Sequence, residues 1–109
     1  MSPIPELNKE TPIAVIAAGR LGSSLAIALD NAGYNVAAIS SRQASHREWI
    51  GSRVENAVVV ENPQTAVNVA NIIFITAPDS TIEEICSDIE WRTHQAGIHC
   101  AGVLPLSAL

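Results

Sequence analysis

Charge is scarce in this sequence, and positive charge is scarcer than negative. Charged residues make up 16% of the 109 positions, with six Lys and Arg against eleven Asp and Glu and a formal net charge of −5. A surface of that sign repels phosphate backbones unless the cations gather in one patch. They do not: only Arg42 and Arg47 come close to clustering, so no nucleic-acid partner is expected. Cysteine is nearly absent. Cys86 and Cys100 form neither a disulfide framework nor a pair at metal-ligand spacing, and two buried thiols in a reducing compartment are expected. No apolar run approaches the ~20 residues needed to span a bilayer. The opening residues lack the basic-then-apolar pattern of a secretory signal. A soluble cytoplasmic chain is expected, without metal and without membrane contact.

What the sequence does have is apolar content, 48% of all residues. That is enough for one domain with one core. The Pro-containing stretch 1–11 reads as a flexible leader and 12–109 as the domain, expected to be the N-terminal part of a longer protein. Within it, short apolar runs alternate with segments of helical spacing. Ile13 to Ala17, Val36 to Ile39, Val58 to Val60, Ile72 to Ile75 and Ile98 to Ala101 are the five candidate strands. The run at Ile72 does not alternate in polarity, as in a parallel strand covered on both faces.

Between the strands, Leu21, Leu25, Ala28, Leu29 and Ala32 recur at helical spacing, and Gly33 falls where a helix would end. Ser45 with Glu48, and Ser80 with Glu83, read as capping boxes opening two further helices. Asn62-Pro63 reads as a cap and first helical residue of a short helix over 64–69. Ile82, Ile85 and Ile89 line one face of the helix after the fourth strand. Strand and helix alternating in this way predict an α/β fold, a doubly wound parallel sheet with order 3-2-1-4-5 and helices on both faces.

The chemistry-bearing segment closes the first strand and opens the first helix: Ala17-Ala18-Gly19-Arg20-Leu21-Gly22. It matches G-x-G-x-x-G at the second and third glycines. The second lets a backbone approach a pyrophosphate, and the third lets helix and strand pack closely. Free N–H groups and the helix dipole then favour an anion. Ala17 stands in place of the first glycine, which serves the tight turn. A Gly-containing turn that binds no nucleotide is the competing reading.

At the end of the second strand, where a domain selective for NAD carries Asp or Glu against the ribose 2′-hydroxyl, this chain has Ser40-Ser41-Arg42. Hydroxyls and a guanidinium suit a 2′-phosphate, which a carboxylate would repel. NADP is the cofactor expected, although Arg42 also suits a solvated loop. After the fourth strand, Ala77-Pro78-Asp79-Ser80 falls where open α/β sheets bind ligands. Asp79 and Ser80 equally suit the cap of the next helix.

Taken in order, Ala18-Gly19-Arg20-Leu21-Gly22-Ser23-Ser24-Leu25, Ile39-Ser40-Ser41-Arg42, Thr76-Ala77-Pro78-Asp79-Ser80-Thr81-Ile82 and His99-Cys100-Ala101-Gly102-Val103-Leu104 resemble the N-terminal Rossmann-like domain of a family named as NADP oxidoreductases. They are also similar to the cofactor domains of pyrroline-carboxylate reductase, 6-phosphogluconate-dehydrogenase-like enzymes and deazaflavin-dependent NADP reductases. The resemblance implies that Gly19, Arg20, Leu21 and Gly22 contact pyrophosphate and that Ser40, Ser41 and Arg42 contact the 2′-phosphate. It places Ala77 and Pro78 on the nicotinamide side and Ala101 and Gly102 near the nicotinamide ring. It further implies NADP(H) and a small molecule as partners, with the substrate pocket and catalytic groups in a C-terminal helical domain beyond this chain. A non-catalytic nucleotide-sensing module is the alternative, and a ligand-free α/β domain a third.

No nucleophile–base pair stands out. His46 and His94 are expected on helix or loop surfaces, His99 as a structural residue, and Trp49 and Trp91 as packing at helix edges. The fifth strand would be an exposed edge beside apolar Val103, Leu104, Leu106 and Leu109. Self-association there, or through a C-terminal domain, is expected to give a homo-oligomer.

Overall fold

The computed structural model describes residues 9–16, 19–76 and 79–99. Five strands and four helices alternate: β1 (Ile13–Ile16), α1 (Arg20–Asn31), β2 (Val36–Ser40), α2 (Ala44–Arg53), β3 (Val58–Val60), α3 (Pro63–Val67), β4 (Ile72–Ile75), α4 (Asp79–Asp88) and β5 (Ala96–His99). The strands form one parallel sheet in the order β3-β2-β1-β4-β5, as the alternation of elements predicts.

The sheet separates two apolar layers. On one side, Ala26, Ile27 and Leu29 of α1 and Ile50 of α2 pack with Val15, Val36, Ile39, Val59 and Phe74. On the other, Ala66 and Val67 of α3 and Ile85 and Cys86 of α4 pack with Ala14, Ile16, Ala38, Val60, Ile73 and Ile75, joined by Ile89 just past α4. Alternate strand residues serve opposite layers, which is the period-2 rule of a pleated strand. Strand β2 departs from it, because Val36 and Ile39 share a layer although they stand three positions apart. The pairing with β1 explains this: Ile13 faces Val36 and Ala14 faces Ala38, so Ala37 is an extra residue in the ladder. A bulge of this kind shifts the phase by one.

Helix α1 ends as its glycine predicts. Gly33 has φ of 92°, its N–H donates to the Asp30 carbonyl at 3.0 Å, and the Tyr34 N–H donates to the Leu29 carbonyl at 3.0 Å. These two bonds make a Schellman ending, which needs a left-handed residue just past the helix. Gly33→Ala is expected to destabilise the fold by about 1–2 kcal/mol, because alanine enters that region at a steric cost; chemical denaturation measures it. At the start of α3, Asn62 Oδ1 accepts from the Gln64 N–H at 2.8 Å, with Pro63 in the first turn. Asn62→Ala is expected to cost about 1 kcal/mol, read in the same experiment.

Several local expectations are corrected. The buried face of α1 consists of Gly22, Ser23 and Ala26, whereas Leu21 is 41% exposed and Ala28 and Ala32 are also exposed. Small residues face the sheet because the helix lies close to it, and the leucine periodicity marks its flank. Helix α2 begins one residue before Ser45, after Gln43, which makes no side-chain cap. Helix α4 begins at Asp79, so Ser80 lies inside it rather than ahead of it. Helix α3 stops at Val67, where residues 68–69 form a turn, and β5 starts two residues before Ile98.

Ile85 and Ile89 pack on the core as expected, whereas the side chain of Ile82 lies outside the described part. So do the leader residues 1–8, Ala17, Ala18, Ala77, Pro78, Cys100, Ala101, Gly102 and the apolar tail 103–109. Cys86 is a half-buried free thiol. Among the described residues no helix is long and apolar enough to cross a membrane, and no group of His, Cys, Asp and Glu could hold a metal ion.

Candidate functional site

All five strands are parallel, so their carboxyl ends lie along one edge of the sheet. The order places β1 and β4 side by side at the centre, where the chain switches from building towards β3 to building towards β5. Ligands of open α/β sheets bind outside the carboxyl ends at such a switch. Here the two strand ends are tied together: the Thr76 N–H and Oγ1 both donate to the Ile16 carbonyl, at 3.2 and 3.1 Å. The exit of β1 is thereby fixed next to the exit of β4.

Helix α1 starts at that edge. Gly19 is its N-cap residue and has no side chain with which to cap the first N–H groups, and the first turn holds no acidic residue. Arg20 supplies the opposite charge. An uncapped helix start with a cation beside it is a site of positive potential suited to an anion. Gly19 and Arg20 are exposed, and Gly22 is buried against the sheet.

The surroundings of Gly19 test whether a pyrophosphate suits this turn. Its φ is −113°, outside the left-handed region. A Cβ built there meets no atom of the described residues within 4 Å. Neither its φ nor packing among the described residues calls for glycine. The observation fits a backbone that a ligand approaches closely.

The exit of β2 lies on the same edge. Ser40 and Ser41 are 1% and 5% exposed, so their hydroxyls lie largely within the fold. Arg42 is exposed and makes no hydrogen bond or ion pair with another described residue. No carboxylate occupies the segment 40–42. The loop is held from two directions. The Ser41 N–H donates to the Val60 carbonyl of β3 at 3.0 Å, and Arg47 Nη1 donates to the Ser41 carbonyl at 2.9 Å. Of the sequence-predicted site residues, the structure therefore brings Gly19, Arg20, Leu21 and Gly22 to the same edge as Ser40, Ser41 and Arg42. The remaining four, Ala77, Pro78, Ala101 and Gly102, lie outside the described residues.

One polar contact at this edge was not expected. His46, in the first turn of α2, is half-buried, and its Nε2 lies 2.6 Å from Ser23 Oγ of α1. The Trp49 ring centroid is 5.6 Å from that of His46, and the Arg53 guanidinium lies 5.2 Å from the centre of the Trp49 ring. The signal available in sequence was slight: each residue falls in or near the first turn of a helix that starts at the same sheet edge.

The sheet order defines a doubly wound α/β domain, with the carboxyl edge at its switch point as the candidate site. The profile of the Rossmann-like domain family matches residues 7–106, and the chain belongs to that family. No curated protein matches it by sequence. Among solved structures it is similar to a Bacteroides fragilis protein named as an NADP oxidoreductase, with 26% identity and a TM-score of 0.76, covering 88% of this chain and 38% of that one. It also matches the fold of an imine reductase from a Pseudomonas species, with 21% identity, a TM-score of 0.72, and coverage of 84% of this chain and 32% of that one. A third similar fold is 1-pyrroline-5-carboxylate reductase from Streptococcus pyogenes, with 15% identity, a TM-score of 0.65, and coverage of 86% and 35%. The chain thus spans about a third of the length of these proteins.

Proposed function

We propose that this chain is the cofactor-binding part of an NADP-dependent oxidoreductase. The observation that carries the reading is the pairing, on one sheet edge, of an uncapped helix start behind an open glycine with an unengaged arginine at the exit of β2. Three neighbours in fold, one named for NADP and two named as reductases, support it.

Gly19, Arg20, Leu21 and Gly22 would hold the pyrophosphate by backbone N–H groups and the helix dipole. Arg42 would grip the 2′-phosphate with charge-assisted hydrogen bonds. Because the hydroxyls of Ser40 and Ser41 are largely buried, their share is to shape and hold the loop from which Arg42 projects. Ala77, Pro78, Ala101 and Gly102 complete the proposed contacts on the nicotinamide side. When bound, the nicotinamide supplies a hydride donor or acceptor. This chain's residues bind and orient the cofactor, and the small-molecule substrate is proposed to sit against a further part of the protein. Titration of the chain with NADPH and with NADH by calorimetry tests the reading. Preference for NADPH supports it, and no binding of either at millimolar concentration overturns it.

A further inference from the structure

We propose that the hydrogen bond between Ser23 and His46 is a positioning clamp that sets where Arg42 stands relative to the phosphate turn, and so sets the discrimination between dinucleotides with and without a 2′-phosphate. The inference rests on the reading given under Proposed function.

The placement of the bond is the first argument. Ser23 follows the Gly19–Gly22 turn directly, and its amide donates to the Gly19 carbonyl at 2.9 Å. His46 lies one turn after Arg42. The bond at 2.6 Å therefore joins the two segments proposed to contact the cofactor, close to both, at the sheet edge where both helices begin. Among the described residues it is the only side-chain hydrogen bond between α1 and α2.

Chemistry is the second argument. Ser23 is 3% exposed and sits among the small residues of α1 that face the sheet. Burying a hydroxyl against an imidazole costs desolvation, which an apolar pair would avoid at little loss of stability. What a polar pair adds is direction, because a hydrogen bond fixes one separation and one angle where apolar contact tolerates many.

The third argument is the neighbouring residue. Arg47 reaches back to the Ser41 carbonyl at 2.9 Å while His46 reaches across to α1. Consecutive residues thus fasten the first turn of α2 to the loop before it and to the helix beside it. Arg42 is left as the one arginine of this loop with its guanidinium unengaged among described residues. Loss of the clamp lets α2 shift against α1 and carries Arg42 away from the place where a 2′-phosphate and the pyrophosphate of the same molecule can be met together. A dinucleotide without the 2′-phosphate does not use Arg42 and is indifferent to the shift.

The test is the affinity of the full chain for NADPH and for NADH in His46→Ala, Ser23→Ala, the double variant and His46→Gln, with unfolding midpoints measured in parallel. His46→Ala is expected to weaken NADPH binding about 5- to 10-fold, the loss of one hydrogen bond, and to leave NADH within about twofold. Ser23→Ala should do the same from the other end of the bond, and reads the clamp if His46→Ala does not fold. The double variant should be no worse than either single one. His46→Gln, which keeps a donor within reach of Ser23, should recover most of the preference. Equal weakening of both nucleotides, or an unchanged ratio, overturns the clamp and leaves the NADP reading standing when the parent chain prefers NADPH. A parent chain that binds neither nucleotide overturns both.

Discussion

Arg42→Ala is expected to weaken NADPH binding by about 10- to 100-fold and to leave NADH binding unchanged, the range spanned by one hydrogen bond to a charged group. The expectation depends on what surrounds the residue. A guanidinium already engaged by a carboxylate would have to break that pair before gripping a ligand. Arg42 has no such partner among the described residues, and its backbone is held through the carbonyl of Ser41 and the turn of α2 that follows. The group is free at the tip and fixed at the base. Arg42→Lys should recover only part of the loss, because an ammonium cannot form the two parallel bonds of a planar fork. Isothermal titration of the parent and both variants with each nucleotide measures the effect. A parallel fall in NADH affinity would assign Arg42 to the pyrophosphate or to the fold instead.

Gly19→Ala carries the second large expectation. Nucleotide affinity should fall about 5- to 100-fold, corresponding to the roughly 1–3 kcal/mol that an added methyl costs in a filled space. Both NADPH and NADH should be affected, since both carry the pyrophosphate. The unfolding midpoint should hardly move. These two results belong together because a Cβ at Gly19 meets nothing within 4 Å among the described residues. A glycine kept for folding would show the reverse pattern, with stability lost and affinity changed only as a consequence. Gly33 supplies that contrast within the same molecule, because its φ of 92° ties it to the helix ending. Thermal unfolding and nucleotide titration on Gly19→Ala and Gly33→Ala therefore separate a ligand-facing glycine from a structural one.

The strand order was legible because its determinants are local. Short apolar runs bounded by Gly and Pro, joined by helical segments, admit few parallel topologies. Gly33 and Asn62-Pro63 were legible for the same reason, since each acts within a few residues of itself. Of the buried face of α1, only Gly22 was, as the close-packing glycine of the motif. Leucine spacing identifies a helix, but the layer against a sheet admits what fits, and Gly22, Ser23 and Ala26 fit where Leu21 does not. The capping boxes at Ser45 and Ser80 each place the helix start two residues late, within the range over which helix starts are least determined by pattern. The burial of Ser40 and Ser41 was also hidden, since it depends on β3 lying alongside and accepting the Ser41 amide. Ser23 and His46 are separated by 23 positions and by a strand. No periodicity links them, and only the docking of α1 beside α2 makes them partners.

The extra residue in β2 is local in its effect. Ala37 faces no partner of its own in the ladder with β1, and on either side of it the strand keeps its alternation. Its removal would leave every facing of β2 intact, with Val36 and Ile39 still in one layer and Ala38 in the other. Nor would its removal shorten the reach of the strand, because the pairs that follow, Ala14 with Ala38 and Val15 with Ile39, hold the end of β2 level with β1. The two residues that stand opposite one are absorbed as a local bend. A change of length at Ala37 is therefore taken up ahead of the strand exit, and the loop of Arg42 keeps its place beside the turn after β1.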